Sequence, residues 1–380
     1  VRILVIGKAF RPSTATIRRA DAFVDGLRAA GHQVVRAGRD GDVDVRLPAP
    51  SVALVGAARR LRLGRVYRAA TRPWMVPDDA ILDLAPGLAA LASVDADVVV
   101  ASGPPQALVV LGAAWARLRG RRFVADLRDP WADHPELLHR AEARRAAERA
   151  LEARVLDGAA QVFVATRSMA ERLRARVRTP VDVLLNGYDP ERFTDRPAPP
   201  SREGAPVVGV YGSFYGPIDP APLVRATRRA GAVLEHAGQD FDGALARAAR
   251  AEGLELRALG LLSGADAAQR MIAADVLGLV LPDDPAWGYV RTQKLSEYLA
   301  SGRPVLAIVP PGEVAAELAA LDAGLAFGAH EVPAAAAAIG ALAARASRPL
   351  GPPHLAWAAQ VARLVAAVEG GPVAPDETRP

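Results

Sequence analysis

The chain has 380 residues, more than one ordinary core holds and enough for two domains of usual size. It is 51% hydrophobic and 23% charged with a net charge of +5, a globular composition that excludes disordered and fibrous classes and favours anionic ligands. With no cysteine and six scattered histidines, a disulfide framework, a thiolate nucleophile and a protein-held zinc site are excluded.

The opening VRILVIGKAF reads as a buried strand rather than a signal peptide, because its apolar run is short and soon interrupted. A helix is expected over about 14–30 and a strand near 33–36. The stretch 55–74, VGAARRLRLGRVYRAATRPW, interleaves Arg with Leu, Val, Tyr and Trp. Such a stretch suits an anionic membrane surface, and peripheral contact with one is carried as an expectation. The plainer reading, a solvated helix whose apolar stripe meets the core, is preferred here. Continuous Val at 97–101 is a buried strand, 106–119 the helix after it, and 123–126 the next strand. Strands at 162–165 and 181–184 extend the series. The Pro-rich segment 194–206 reads as a linker. The pattern then restarts with strands at 207–211, 232–236, 275–279 and 304–308, each followed by a helical stretch. An Ala-rich helix at 334–346 and a last helix at 354–369 close the chain.

No apolar run reaches the ~18–20 residues that cross a bilayer, so the expected location is cytoplasmic. Nucleic acid is not an expected partner, because no zinc finger, RNP-like pattern or long basic tail occurs. Val5–Gly7 lacks GxGxxG, which argues against a dinucleotide-dependent dehydrogenase.

The densest chemistry lies in 289–307, YVRTQKLSEYLASGRPVLA. Thr292 is expected to cap a helix beginning at Gln293, whose free N–H groups and dipole suit an anion. Lys294 adds three donors in the first turn. It is one of only two lysines, with Lys8, in a chain that otherwise uses Arg. Glu297, one turn on, suits the vicinal hydroxyls of a ribose. A surface Lys–Glu pair accounts for the same residues, and the local pattern leaves both readings open. In the first half, Asp126, Arg128 and Asp129 stand at the carboxyl end of a buried strand. An Arg there can neutralise a leaving diphosphate and an Asp can orient a hydroxyl, or the two can simply pin the loop. Trp131 reads as core or as an acceptor platform, and Asn186–Asp189 as a turn on the wall of a cleft or no more than a turn. His236 ends a strand, where it would touch the donor or complete a turn. Asp283–Asp284, flanked by prolines, is not a DxD metal site. Ser13 and Thr14 offer hydroxyls and a helix start near the expected reaction centre, whereas Arg18 and Arg19 on that helix read as solvated.

The segment KLSEYLASGRPVLA resembles the signature of the family 4 retaining glycosyltransferases, which have the GT-B fold. The likeness is strongest to the bacterial branch that makes surface polysaccharides and glycosylated natural products. ASGPPQ at 101–106, FVADLRDPW at 123–131, LNGYDPERF at 185–193 and VYGSFYG at 210–216 agree in the expected order, over roughly residues 1–330. The resemblance implies an α/β GT-B fold, two Rossmann-like parallel-sheet lobes facing across a cleft. An acceptor-side lobe is expected over 1–193 and a nucleotide-sugar lobe over 207–346, with helix 354–369 packing back on the first. It implies transfer of a sugar, with retention and no obligatory metal, from a UDP-, GDP- or dTDP-type donor to a hydroxyl acceptor. It places Gly212, Ser213, Phe214, His236, Tyr289, Thr292, Gln293, Lys294 and Glu297 at the donor. Arg128, Asp129 and Lys294 fall near the chemistry, and Ser13, Thr14, Gly103, Asp126, Trp131 and Asn186 on the acceptor side. Three features depart from the family. The first of its two glutamates is Tyr289, its paired glycines are replaced by 12–16, PSTAT, and the basic pair after the 212 loop is Phe214, Tyr215 and Pro217. Diphosphate charge then falls to Lys294, Arg291, helix dipoles or an Arg of the other lobe. The departures favour a degenerate homologue that binds a nucleotide or partner without turnover, while the intact Lys294–Glu297 and RDPW segments oppose it. A GT-B-fold nucleotide-sugar epimerase is the other alternative and asks for more carboxylates and histidines than the sequence supplies.

Overall fold

The computed structural model describes residues 1–10, 18–71, 75–138, 141–194, 204–345 and 351–373. Ser13, Thr14 and most of the expected linker lie outside the described residues. Packing divides the chain into two units, the first comprising Val1–Leu185 with the segment from Ala358 onward, the second Asn186–Trp357.

The first unit is a seven-stranded sheet in the order β3-β2-β1-β4-β5-β6-β7. Its strands are β1 Arg2–Ile6, β2 Gln33–Gly38, β3 Val45–Arg46, β4 Val98–Gly103, β5 Arg122–Leu127, β6 Gln161–Val164 and β7 Val181–Val183. Every pairing is parallel. Parallel strands need crossover helices, and helices on both faces require strands apolar on both faces. That is why β4, VVVASG, is buried at all six positions. The last helix, Trp357–Glu369, places Val361, Leu364, Ala367 and Val368 in one core with Ile3, Val5, Phe23 and Leu27. The approach is close: a Cβ at Gly26 would lie 2.2 Å from Val361 Cγ1, so the helix Arg18–Ala29 needs glycine there.

The second unit repeats the plan with six parallel strands in the order β10-β9-β8-β11-β12-β13. They are β8 Val207–Tyr211, β9 Val233–Ala237, β10 Leu256–Gly260, β11 Val276–Val280, β12 Val305–Ile308 and β13 Gly324–Phe327. In both units strand order reverses beside the first strand, between β1 and β4 and between β8 and β11. In open parallel sheets the loops at such a reversal usually diverge, and ligands bind at the carboxyl ends of the strands there. Among the described residues no helix is long and apolar enough to cross a membrane.

Three expectations are corrected. Residues 186–193, placed by the sequence in the first lobe, pack in the second unit. Tyr188 N–H donates to Leu355 O (3.0 Å), Trp357 N–H donates to Tyr188 O (2.9 Å), and the Tyr188 hydroxyl reaches Gly351 O (2.8 Å). Arg19, read as solvated, is 1% exposed. Its Nη2 lies 2.6 Å from Asp126 Oδ1 and 2.8 Å from Leu184 O, and Ser102 Oγ donates to Asp126 Oδ2 at 2.7 Å. Asp126 is 0% exposed and therefore ties β4, β5 and the first helix together rather than facing a ligand. Among the described residues, the helices Pro50–Arg60 and Gly64–Thr71 leave most of their large apolar side chains in solvent rather than in the core. Leu61 is 68% exposed, Val66 64% and Val52 59%, and only Ser51 and Ala58 of the first helix are buried.

Removing one partner of a buried pair strands the other charge without water. Arg19→Met is expected to cost about 3–5 kcal/mol in urea unfolding. Arg19→Met with Asp126→Leu should recover much of that loss, and a single variant unfolding at the wild-type midpoint would contradict the pairing.

Candidate functional site

In the second unit, β8 is followed at once by Gly212, whose φ of +148° lies where side chains are strained. Its N–H donates to Ala237 O at 2.7 Å, and the Phe214 N–H to Gln239 O at 2.8 Å, so the turn after β8 lies along the turn after β9. Lys294 fills the space beside it. A Cβ at Gly212 would stand 2.5 Å from Lys294 Cε and 2.9 Å from Nζ. The helix carrying this lysine, Gln293–Ser301, stops at Gly302 in the left-handed conformation, as the sequence predicts.

Lys294 has no hydrogen bond or ion pair among the described residues, and burial pushes its ammonium down to about 8. A half-buried, unpaired cation at the start of a helix has the charge and the donors that suit an anion. Thr292 occupies the N-cap position, yet its hydroxyl makes no capping bond and is buried without a partner. That corrects the expected cap, and its carbonyl instead accepts the Leu295 N–H at 3.2 Å. Gln293 and Glu297 are half-exposed on the same helix.

The neighbouring residues are scaffolding. Arg291 is buried and grips Glu317 with two bonds, Nε to Oε2 at 2.6 Å and Nη2 to Oε1 at 2.9 Å, while Nη1 donates to Ser296 Oγ at 2.9 Å. This removes Arg291 from the cations expected to meet a diphosphate. Ser296 in turn donates to the Asn186 carbonyl, so Asn186 is a backbone anchor of this helix. His236 donates from Nε2 to Gly212 O at 2.9 Å, and burial lowers its pKa, which keeps the ring neutral beside Lys294. It props the Gly212 carbonyl and is itself 4% exposed. Phe214 is buried in the core against that ring, 5.5 Å between centroids, and Tyr289 is also buried. Neither is a surface for a ligand. Ser213 is half-exposed, its hydroxyl accepting the Gln239 N–H at 3.2 Å. Asp284 caps the short helix Pro285–Trp287 through the Ala286 N–H at 2.8 Å. Among the described residues no cluster of His, Asp and Glu is placed to hold a metal.

In the first unit Arg128 donates from Nε to Gly103 O at 3.1 Å and from Nη2 to Pro104 O at 2.9 Å, pinning the 103–105 loop. Burial lowers its pKa. Asp129 follows it half-exposed, its carboxylate without a hydrogen bond or ion pair among the described residues. Trp131 is buried, with Nε1 donating to Glu148 Oε2 at 2.9 Å, a carboxyl whose pKa burial raises. The Ala132 N–H donates to Glu152, whose carboxyl burial pushes up to about 7 against Arg176. Asp129 and Trp131 border a cavity of about 630 Å³ that the sequence did not reveal, because its other walls come from 39–80, 104–106, 130–137 and Arg144.

Residues 14–189 match the model of the family described as "Glycosyl transferase 4-like domain". No curated protein matches the chain. Its structure is similar to sucrose-phosphate synthase from Thermosynechococcus elongatus, at 18% identity and a TM-score of 0.63 over 97% of this chain and 94% of that one. It is similar to WaaG, a glycosyltransferase involved in lipopolysaccharide biosynthesis, at 15% identity and 0.64 over 97% and 100%. A putative UDP-N-acetylglucosamine 2-epimerase from Listeria monocytogenes aligns at 12% identity and 0.60 over 99% and 98%. At these identities the likeness is one of fold.

A lysine with a depressed pKa makes the folded state less favourable while the group is charged. The unfolded state keeps its proton up to about 10.4, so between about pH 8 and 10.4 it holds more protons and stability rises with pH. Lys294→Met is therefore expected to be more stable than wild type at pH 7, with the margin shrinking toward pH 10. Denaturant titrations at both pH values check this, and a pH-independent margin would contradict the desolvated ammonium.

Proposed function

With residues 14–189 matching the model of the glycosyl transferase 4-like domain, we propose that this protein moves a sugar from a UDP-, GDP- or dTDP-type donor to a hydroxyl acceptor. The proposal includes retention of anomeric configuration and no obligatory metal. The observation that carries it is Lys294, an unpaired ammonium packed on Gly212 where β8 ends. In this reading the donor diphosphate meets Lys294 and the N–H groups of the Gln293–Ser301 helix. Charge that develops on the leaving diphosphate is what an ammonium and a helix start stabilise. Glu297 holds the donor ribose, and Gln293, Thr292 and Ser213 line the approach. Asp129 orients the acceptor hydroxyl, whose oxygen bonds the anomeric carbon as the sugar–diphosphate bond breaks and whose proton leaves late. Arg128 acts by holding the 103–105 loop in place.

The exposed Val52, Leu61, Leu63 and Val66 lie among Arg59, Arg60, Arg62 and Arg65, and no acidic residue occurs between 50 and 74. Apolar groups that enter the acyl boundary and arginines that meet anionic headgroups are the two components of peripheral membrane binding. We take this face to rest on the cytoplasmic side of an anionic membrane. Sedimentation with vesicles containing anionic phospholipid should capture the protein. Leu61→Ser with Val66→Ser, or 0.5 M salt, should release it, and equal recovery on neutral vesicles would remove the membrane from the proposal.

Purified protein with a nucleotide-sugar panel tests the reaction. Sugar transfer or donor hydrolysis that survives EDTA is the expected result, whereas inversion at C2 would make it an epimerase and binding without turnover an auxiliary protein. Lysine is a compact point charge and arginine a planar fork, and the space beside Gly212 holds the former. Lys294→Arg is thus expected to lower turnover at saturating donor about a hundred- to a thousandfold, nearly as far as Lys294→Ala. Near-normal turnover would take Lys294 out of the chemistry.

A further inference from the structure

The segment after β5 carries Asp129 between two anchors. Upstream, the Arg128 N–H donates to Gly103 O at 3.1 Å and its side chain grips the same loop. Downstream, charged side chains hold three consecutive residues, Trp131, Ala132 and Asp133. The Asp129 carboxylate has no hydrogen bond or ion pair of its own among the described residues, so these anchors set its place on the cavity wall.

The downstream anchor is the helix Glu142–Leu156, which turns Glu148 and Glu152 inward one turn apart, 0% and 2% exposed. The two are not equally neutralised. Glu148 is paired with Arg144, whose Nε and Nη2 lie 2.9 and 2.7 Å from Oε1, and it accepts the Trp131 indole N–H on Oε2. Glu152 accepts the Ala132 N–H on Oε1 at 3.2 Å but shares its arginine, Arg176, with Asp133. Arg176 Nη1 donates to Asp133 Oδ1 at 2.9 Å. Its Nη2 lies 3.0 Å from Glu152 Oε2 without the alignment of a hydrogen bond, and both that oxygen and Arg176 Nε are buried without a hydrogen-bond partner. The charges acting on Glu152 are thus Arg176 from the turn after the helix Arg167–Arg174, Asp133 from the loop it holds, and Glu148 from its own helix. Burial and the two like charges outweigh the arginine and the Ala132 N–H and push its carboxyl up to about 7.

A glutamine here would make the same bond to Ala132 without burying a charge. What the carboxylate adds is its attraction for Arg176, which ties Glu152 to Asp133 as well as to Ala132. We propose, resting on the glycosyl-transfer reading above, that Glu152 is a positioning residue for Asp129: its ionised carboxylate clamps residues 132–133 to the helix Glu142–Leu156 and so fixes Asp129 where it meets the acceptor hydroxyl. Proton uptake by Glu152 releases Arg176 to Asp133 alone and loosens the loop, which makes transfer sensitive to acidification near neutral pH.

The clamp is read directly at the Ala132 amide. The chain has three Trp–Ala peptides, at 115–116, 131–132 and 357–358. Protein labelled with carbonyl-13C Trp and 15N Ala therefore gives three correlated amide signals, and Trp131→Phe identifies that of Ala132 by removing it. The Ala132 signal should titrate with a midpoint of about 7 in the wild type and hold still from pH 6 to 8 in Glu152→Gln. No titration in the wild type, or the same titration in the variant, overturns the clamp. The positioning role is read from release of nucleoside diphosphate at saturating UDP-glucose, GDP-mannose or dTDP-glucose, with water as the acceptor. Wild type should exceed Glu152→Gln about tenfold at pH 8 and less than about twofold at pH 6, at an unchanged donor KM. A pH-independent ratio overturns the positioning role. A carboxyl whose pKa is raised in the folded state makes stability fall as pH rises from about 4.3 to about 7, so Glu152→Gln should unfold at a higher urea concentration than wild type at pH 8. A variant less stable than wild type at pH 8 would make Glu152 a purely structural residue. The glycosyl-transfer reading fails separately, if wild type turns over no nucleotide sugar while the Ala132 signal still titrates.

Discussion

Parallel pairing is the constraint from which the rest of this structure follows. Every ladder in both sheets is parallel, so all strands of a sheet end on one edge and each connection must cross a face. Crossing helices bury both faces, so the strands are mostly apolar and a polar side chain inside one needs a partner, as Glu235 in β9 has in the Tyr211 hydroxyl. The polar residues that matter accordingly sit just past strand ends: Gly212 and Ser213 after β8, Arg128 and Asp129 after β5, and the 103–105 loop after β4. Reversal of strand order next to β1 and β8 then decides which of these loops diverge.

Loops at strand ends have few backbone partners, and here side-chain charges hold them. Arg128 grips the carbonyls of Gly103 and Pro104, Arg19 and Ser102 hold Asp126, and Arg291 bridges Glu317 and Ser296. Buried ions of this kind are tolerated because each is matched in charge and hydrogen bonding. Lys294 breaks the pattern. It is desolvated, packed on the Gly212 backbone and unmatched, and burial disfavours its charged form. Asp79, Asp129 and the Gln106 amide oxygen break it with the opposite sign in the first unit.

Much of this architecture was legible along the chain. Buried parallel strands are continuous apolar runs, so β1, β4, β5, β8, β11 and β12 stand out within a residue or two. The helix of Lys294 with its Gly302 stop is equally local, as are the Pro-rich stretch and the absence of cysteine. Three of the four edge strands, β3, β10 and β13, were not legible. β10 is mostly exposed and interrupted by Arg257, and β13, GLAF, is only four residues long and only partly covered.

Local pattern by itself thus determined the α/β class, the two-part organisation, the lysine at a helix start and the glycine that ends that helix, because each depends on residues a few positions apart. Tertiary structure alone decided which charges are free. Arg19 and Asp126 are 107 positions apart, Arg39 and Asp83 44, and Arg291 and Glu317 26. No local pattern reports such pairings, so the sequence could not tell that Arg19 and Arg291 are spent inside the fold while Lys294 and Asp129 are not. It could not place 186–193 in the second unit, nor show that residues from 39–80, the 103–106 loop, 129–137 and Arg144 enclose one cavity. The physical reason is the same in each case: burial and charge neutralisation are set by neighbours in space, which crossover connections draw from distant parts of the chain.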